Sequence, residues 1–140
     1  MSKLTTKQIE LILGRKQYSN LLKFDTSKFV NKKILITGAN GSIGNRLVDV
    51  LSTNKNLTLL STDIHGDYEF MDVTNFQNVK DTLNSFDPDI IINLAGAKHA
   101  PEGEHETWKT FSINTIGTKN ILELRKKESK FILSSTCKSA

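Results

Sequence analysis

The stretch Ile34-Leu35-Ile36-Thr37-Gly38-Ala39-Asn40-Gly41-Ser42-Ile43-Gly44 constrains this chain more than any other. An apolar run without alternation precedes the glycines, and Ile43, Leu47, Val50 and Leu51 follow at helical spacing. That order describes a strand buried on both faces, a turn, and an amphipathic helix. Each glycine has a physical task in such a unit. Gly38 permits the tight turn, Gly41 admits a ligand close to the backbone, and Gly44 lets the helix pack against the strand. Backbone N–H groups at the helix start, with the helix dipole behind them, favour a diphosphate, so Asn40, Ser42 and Ile43 join the glycines as candidate cofactor contacts. The spacing is Gly-x-x-Gly-x-x-Gly and departs from the commoner Gly-x-Gly-x-x-Gly. An ordinary glycine-rich turn is the competing reading, and the flanking strand and helix weigh against it.

The composition narrows the remaining classes. At 140 residues with 37% hydrophobic content, the chain has the size and make-up of one soluble globular domain. It has no apolar run of membrane-spanning length and no signal-peptide pattern, which reads as cytoplasmic. A single cysteine, Cys137, excludes an internal disulfide, and His65, His99 and His105 lack metal-ligand spacing, so no metal is expected. The net charge of +4 invites a nucleic-acid reading. Its lysines are scattered, however, and Arg125-Lys126-Lys127 sits where it complements a helix C-terminus, so no nucleic-acid partner is expected.

Two regions follow from the texture of the chain: a helical arm over residues 1–30 and a dinucleotide-binding domain over 31–140. Ile9, Ile12 and Leu13 predict a short helix from about Thr6 that packs one face and ends at Gly14. A targeting peptide is the competing reading of this arm, and its mixture of acids and bases argues against it. Asp25 can cap a turn carrying Phe29 and Val30. Strands are expected near Lys33 to Thr37, Leu57 to Ser61, Glu69 to Met71, Ile90 to Leu94 and Phe131 to Ser134. The intervening helices are expected over about Ser42 to Thr53, from Thr74, and over about Glu104 to Lys127. Thr74 and Gln77 have the form of a capping box, with Phe76, Val79, Leu83 and Phe86 inward and Asp87-Pro88-Asp89 as the stop. In the long helix Trp108, Phe111, Thr115 and Leu122 are the expected inward positions. Apolar strands alternating with helices give an α/β fold, a doubly wound parallel sheet of Rossmann-like type. It reads as incomplete at the C-terminus, with an apolar last strand open to self-association or a partner chain.

Several further residues carry chemistry. Asp63 lies nineteen positions after Gly44, where an acid accepts from the adenosine ribose and repels a 2′-phosphate; this favours NAD without excluding NADP. A turn aspartate before Gly66 is the alternative. Asp72 and Val73 lie where the adenine would be met, and capping of the next helix competes for Asp72. The small residues around Leu94, Ala95 and Gly96 let a flat group approach the sheet edge, and Lys98 and His99 follow as substrate candidates or as a solvated pair. Asn114 and Gly117 are poor helix formers inside a helix, which indicates a close contact or a side-chain task facing the sheet.

Together these segments, with Asn114-Thr115-Ile116-Gly117-Thr118-Lys119-Asn120 and Ser134-Ser135-Thr136-Cys137-Lys138-Ser139-Ala140, resemble the extended short-chain dehydrogenase/reductases. Within these the chain is most similar to the polysaccharide-biosynthesis branch of UDP-N-acetylglucosamine 4,6-dehydratases and related epimerases, and Ile9 to Arg15 resembles the segment before that branch's first strand. The resemblance implies NAD(P), a nucleotide-sugar substrate and hydride exchange at sugar carbon 4. It also implies catalytic roles at three positions: Thr136 would orient the reacting oxygen, Cys137 stands where the branch has an aspartic acid, and Lys138 would assist proton removal at carbon 5. Cys137 can instead be a small buried hydrophobe. The branch's Tyr-x-x-x-Lys is missing, since neither Tyr18 nor Tyr68 has a lysine four residues on. The expectation is therefore an N-terminal, cofactor-binding portion that is inactive alone. A non-catalytic dinucleotide-binding module, or a subunit completed by another chain, is the alternative.

Overall fold

Ile34, Leu35 and Ile36 are all fully buried, as a strand with structure on both faces requires, and they place β1 (Lys33–Thr37) at the centre of the sheet. The computed structural model describes residues 5–16, 25–97 and 107–135. Around β1 stand β2 (Thr58–Asp63), β3 (Glu69–Phe70), β4 (Ile90–Asn93) and β5 (Lys130–Leu133), in the order β3-β2-β1-β4-β5 and all parallel. The register pairs Thr37 with Thr62 on one side and with Asn93 on the other. Strand alternation sends Leu35 and Ile91 into one core with Met71, Val73, Val79, Leu83 and Ile121. Ile34, Ile36 and Ile90 enter the other, with Ala39 and Leu51. Helix α2 (Ser42–Leu51) contributes Leu51 to the second core; α3 (Phe76–Phe86) and α5 (Thr118–Leu124) contribute Val79, Leu83 and Ile121 to the first. The doubly wound parallel sheet expected from the alternation of strands and helices is the observed architecture.

Local chemistry explains where the elements differ from their expected bounds. Helix α1 (Thr6–Leu13) has a complete capping box from Thr5 and Gln8 and ends on left-handed Gly14, yet none of its residues is buried. Of its expected packing face, Ile12 and Leu13 are exposed, at 70% and 48%, and Ile9 is half-buried. Asp25 does accept from the Ser27 N–H at 2.9 Å, opening the short 3-10 turn Ser27–Phe29. The capping box expected at Thr74 does not form. Asn75 caps α3 by accepting from the Asn78 N–H, while Thr74 turns its hydroxyl to Asp72 and Gln77 pairs with Asp81. Phe76, expected inward, is the first residue of α3 and is exposed. Asp87, in the left-handed conformation, stops α3 as expected.

The last helix departs most. It runs as α4 (Thr107–Phe111), a π-helical segment Ser112–Gly117, and α5. Trp108, Phe111, Thr115 and Leu122, expected inward, are exposed. The face that meets the sheet carries Ile113, Gly117, Ile121 and Leu124. Gly117 decides this, because only a glycine brings helix backbone so close to Val73, whose Cγ2 would lie 2.6 Å from an added Cβ. Trp108 and Phe111 stack on each other with ring centroids 5.5 Å apart.

At the N-terminal end of the sheet, Asp89 accepts from the Lys33 N–H at 2.9 Å and faces the Lys126 ammonium at 3.6 Å. The Lys33 N–H foremost, with the lysine charges, holds the Asp89 carboxyl below its ordinary range. Lys126 is raised, chiefly by its hydrogen bond to Asp87.

Candidate functional site

The chain leaves β1 through α2 to β2 on one side and returns through α3 to β4 on the other, so the connections diverge at the C-terminal ends of β1 and β4. In an open α/β sheet that divergence opens a crevice. Here it consists of two adjoining clefts of about 240 and 640 Å³ that share Gly38, Gly41, Leu94, Ala95 and Gly96.

The shared floor exists because side chains are missing from it. Gly38 has φ +69°, and a Cβ there would lie 2.6 Å from the Ala95 nitrogen and the Leu94 carbonyl carbon. A Cβ on Gly44 would collide with the Gly38 carbonyl oxygen and lie 2.8 Å from Ala39 Cα. The expected roles of Gly38 and Gly44 are thus observed. Gly41 caps α2 with no side-chain hydrogen bond, which leaves the first-turn N–H groups, at Ser42 and Ile43, without a capping acceptor beside the wider cleft.

Asp63, Asp72 and Val73 line the smaller cleft. Asp63 is the last residue of β2; its Oδ2 accepts from the Asn40 N–H at 2.9 Å and its Oδ1 from the His65 N–H at 3.0 Å. These bonds tie the glycine turn to the loop after β2 and hold the carboxylate at the cleft. Asn40 therefore spends its N–H on Asp63, and its side chain packs by Gly66. Asp72 does not cap α3: its Oδ1 accepts from both the N–H and the hydroxyl of Thr74, and its own N–H donates to Asn78. Buried Asn120 donates to the carbonyls of Val73 and Thr74, fixing this wall from behind.

Around the wider cleft stand Ser42, Ile43, Ala97, Asn114, Thr118 and the end of β5 at Leu133, Ser134 and Ser135. Asn114, in the π-helical segment, accepts from the Ala97 N–H at 2.9 Å, so the sheet-facing task expected of it is observed. Lys98, His99, Thr136, Cys137 and Lys138 lie outside the described residues. Reading the sequence missed Ile64, His65, Met71 and Ile113 in the smaller cleft and Ala97, Thr118, Leu133, Ser134 and Ser135 in the wider one. Thr118 had a signal, since it follows the Gly117 that marks the close helix face; Ile113 depends on which face of that helix packs, and the rest on chain paths that no spacing encodes. Among the described residues no cluster of His, Cys, Asp and Glu could hold a metal ion. No helix among them is long and apolar enough to cross a membrane.

A crevice at the switch point, glycines at each close approach, uncapped N–H groups for a diphosphate and a carboxylate at the far end define a dinucleotide-binding protein. Residues 34–139 match the NAD dependent epimerase/dehydratase family, and the chain belongs to that family. It is 30% identical to the capsular polysaccharide biosynthesis protein CapD of Staphylococcus aureus, over 94% of this chain and 26% of that protein. It is also 30% identical to the probable polysaccharide biosynthesis protein EpsC of Bacillus subtilis (strain 168), over 81% of this chain and 22% of that one. The chain thus spans about a quarter of the length of these curated relatives. Among solved structures, dTDP-4-dehydrorhamnose reductase from Bacillus anthracis str. Ames in complex with NADP superposes with a TM-score of 0.59. That match has 28% identity and covers 65% of this chain and 31% of that one.

Proposed function

We propose that the crevice binds NAD, and that in the protein as a whole it serves hydride exchange at carbon 4 of a nucleotide sugar, in a 4,6-dehydratase or epimerase of polysaccharide biosynthesis. The observation that carries this reading is the uncapped start of α2 facing the same crevice as Asp63. The diphosphate lies over Gly41, Ser42 and Ile43. Each Asp63 oxygen accepts one backbone N–H, and a carboxylate has about four acceptor sites, so capacity remains for the ribose hydroxyls. Its charge disfavours a 2′-phosphate, and the polysaccharide-biosynthesis relatives point to the sugar substrate.

A nicotinamide dinucleotide supplies the acceptor and donor of hydride. The chain's own residues bind and orient. Asp72 and Val73 border the adenine, and Asp72 accepts from its amino group, its Oδ1 being taken by Thr74. Leu94, Ala95 and Gly96 form the flat wall on which the other half of the cofactor rests, beside Asn114. Lys98 and His99 meet the sugar's phosphates or hydroxyls, Thr136 orients the reacting oxygen, and Lys138 helps take the carbon 5 proton. Cys137 puts a thiol, intrinsically a weaker acid, in place of a carboxyl, which makes acid-assisted loss of the carbon 6 hydroxyl less favourable. The site is cytoplasmic in this reading. Among the described residues β5 pairs only with β4, with Ile132 and Leu133 half-exposed, and a further strand or a partner chain covers that edge.

Titration calorimetry on the chain tests the cofactor assignment. NAD should bind at least about tenfold tighter than NADP, and Gly41→Val should abolish binding because its side chain fills the diphosphate's place. No heat with either cofactor, or a preference for NADP, refutes the assignment.

A further inference from the structure

Asn114 reaches the wider cleft from a π-helical segment, and one chain of hydrogen bonds fixes it there. The Ala95 N–H donates to Thr37 Oγ1 at 3.3 Å, and that hydroxyl donates to Asn93 Oδ1 at 2.5 Å. Asn93 Nδ2 donates to Thr118 Oγ1 at 3.2 Å, and the Thr118 hydroxyl donates to the Asn114 carbonyl at 2.8 Å. Asn114 Oδ1 then accepts from the Ala97 N–H at 2.9 Å. The circuit leaves the strand-exit loop at Ala95 and rejoins it at Ala97, enclosing Gly96, which borders both clefts.

The direction of every proton in it is fixed. A backbone N–H can only donate and a backbone carbonyl can only accept, so the two hydroxyls and the Asn93 amide between them have one arrangement. Thr37 and Asn93 are 1% exposed, so water cannot replace a lost partner. Because Ala97 claims Asn114 Oδ1, the Nδ2 donors are the side of the amide left for an acceptor in the cleft.

We propose that Thr118 is a positioning residue. Its hydroxyl locks the register of the π-helical segment, and thereby holds Asn114 with its NH₂ group presented to a carbonyl or hydroxyl oxygen of the ligand half that occupies the wider cleft. This deepens the dinucleotide reading and rests on it for the identity of the ligand. Thr118 acts through Asn114, its hydroxyl being engaged within the protein by Asn93 and the Asn114 carbonyl.

The test uses the full chain with Thr118→Val, which keeps the shape and removes the hydroxyl, and Thr118→Ser, which restores it. Calorimetry with NAD and with ADP isolates the nicotinamide half, since ADP keeps the adenosine and the diphosphate over Ser42 and Ile43 but lacks the second ribose and nicotinamide that would lie beside Asn114. Thr118→Val should weaken NAD about tenfold while ADP changes less than about twofold, and Thr118→Ser should bind both as the parent does. In an Asn114→Ala background Thr118→Val should add less than about twofold, because the two residues act in series. Equal weakening of NAD and ADP, no weakening of NAD, or a full additive loss in that background overturns the proposal. Hydrogen exchange without ligand provides an independent arm. The Ala97 amide should exchange about tenfold faster in Thr118→Val, with Ile91 in the sheet unchanged and Thr118→Ser as the parent. Unaltered Ala97 exchange overturns the circuit. If the parent chain binds neither NAD nor ADP, the dinucleotide reading falls, and the exchange result still decides the circuit.

Discussion

Replacing Gly117 with alanine should destabilise the chain although alanine is the better helix former. The added Cβ would stand 2.6 Å from Val73 Cγ2 and 3.1 Å from Val73 Cβ. Carbon atoms prefer about 3.5–4.0 Å, so roughly 1 Å must be opened. Val73 is 4% exposed and β-branched, with little freedom to rotate away. Overpacking of this kind costs about 1–3 kcal/mol, and exchanging glycine for alanine in a helix returns about 1 kcal/mol at most. With a β-branched neighbour that cannot swing aside, the overpacking falls in the upper part of that range, about 2–3 kcal/mol, so the net loss is about 1–2 kcal/mol, or about 3–7 °C in Tm for a chain of this size. Val73→Ala alone should cost about 1–2 kcal/mol through lost burial and a small cavity. If the clash is the cause, the double variant should be less destabilised than the sum by about 1 kcal/mol, because the second alanine makes room for the first. Urea unfolding followed by circular dichroism measures all four proteins. A Gly117→Ala chain as stable as the parent, or strict additivity with Val73→Ala, would refute the claim that Gly117 sets the inward face of this helix.

Asp63→Asn should shift the NADP-to-NAD affinity ratio about tenfold towards NADP by removing the charge that opposes a 2′-phosphate, and an unchanged ratio in calorimetry would sink the role given to Asp63. Asp89→Ala deletes the acceptor of the Lys33 N–H at a site about one third exposed, so with solvent screening it should cost about 1 kcal/mol near neutral pH. Because the folded carboxyl titrates below its unfolded value, the Asp89 contribution is complete above the ordinary aspartate pKa and disappears as pH falls through the folded one. Urea midpoints of parent and variant should therefore converge below about pH 4, and a gap that widens on acidification contradicts the assignment. Incubated with NAD and UDP-N-acetylglucosamine, the chain should form no 4-keto sugar above a no-enzyme control, since neither Tyr18 nor Tyr68 has a lysine four residues on and a general base is worth about two to four orders of magnitude. Turnover that disappears with Lys138→Ala would overturn that expectation.

The order of strands and helices was legible in the residues themselves, because burial on two faces and on one leave different periodicities. Lys33–Thr37 is the strand its apolar run predicts, and Gly38 and Gly44 stand where a side chain would strike backbone. Those are local facts: a run, a turn and a helix start are written within about a dozen positions. What the tertiary structure decided is of another kind. Trp108, Phe111, Thr115 and Leu122 form as regular a stripe as the true one, and only the approach of Gly117 to Val73 selects between them. Thr74 and Asn75 are both competent caps, and the choice fell to Asn75 because Asp72 engages Thr74. The link from Ala95 through Thr37, Asn93, Thr118 and Asn114 to Ala97 joins three segments that periodicity treats separately. Sequence determines which faces a segment offers, since that depends on its own spacing; which face is used, and which polar groups meet across it, depends on contacts that exist only once the sheet has brought distant segments together.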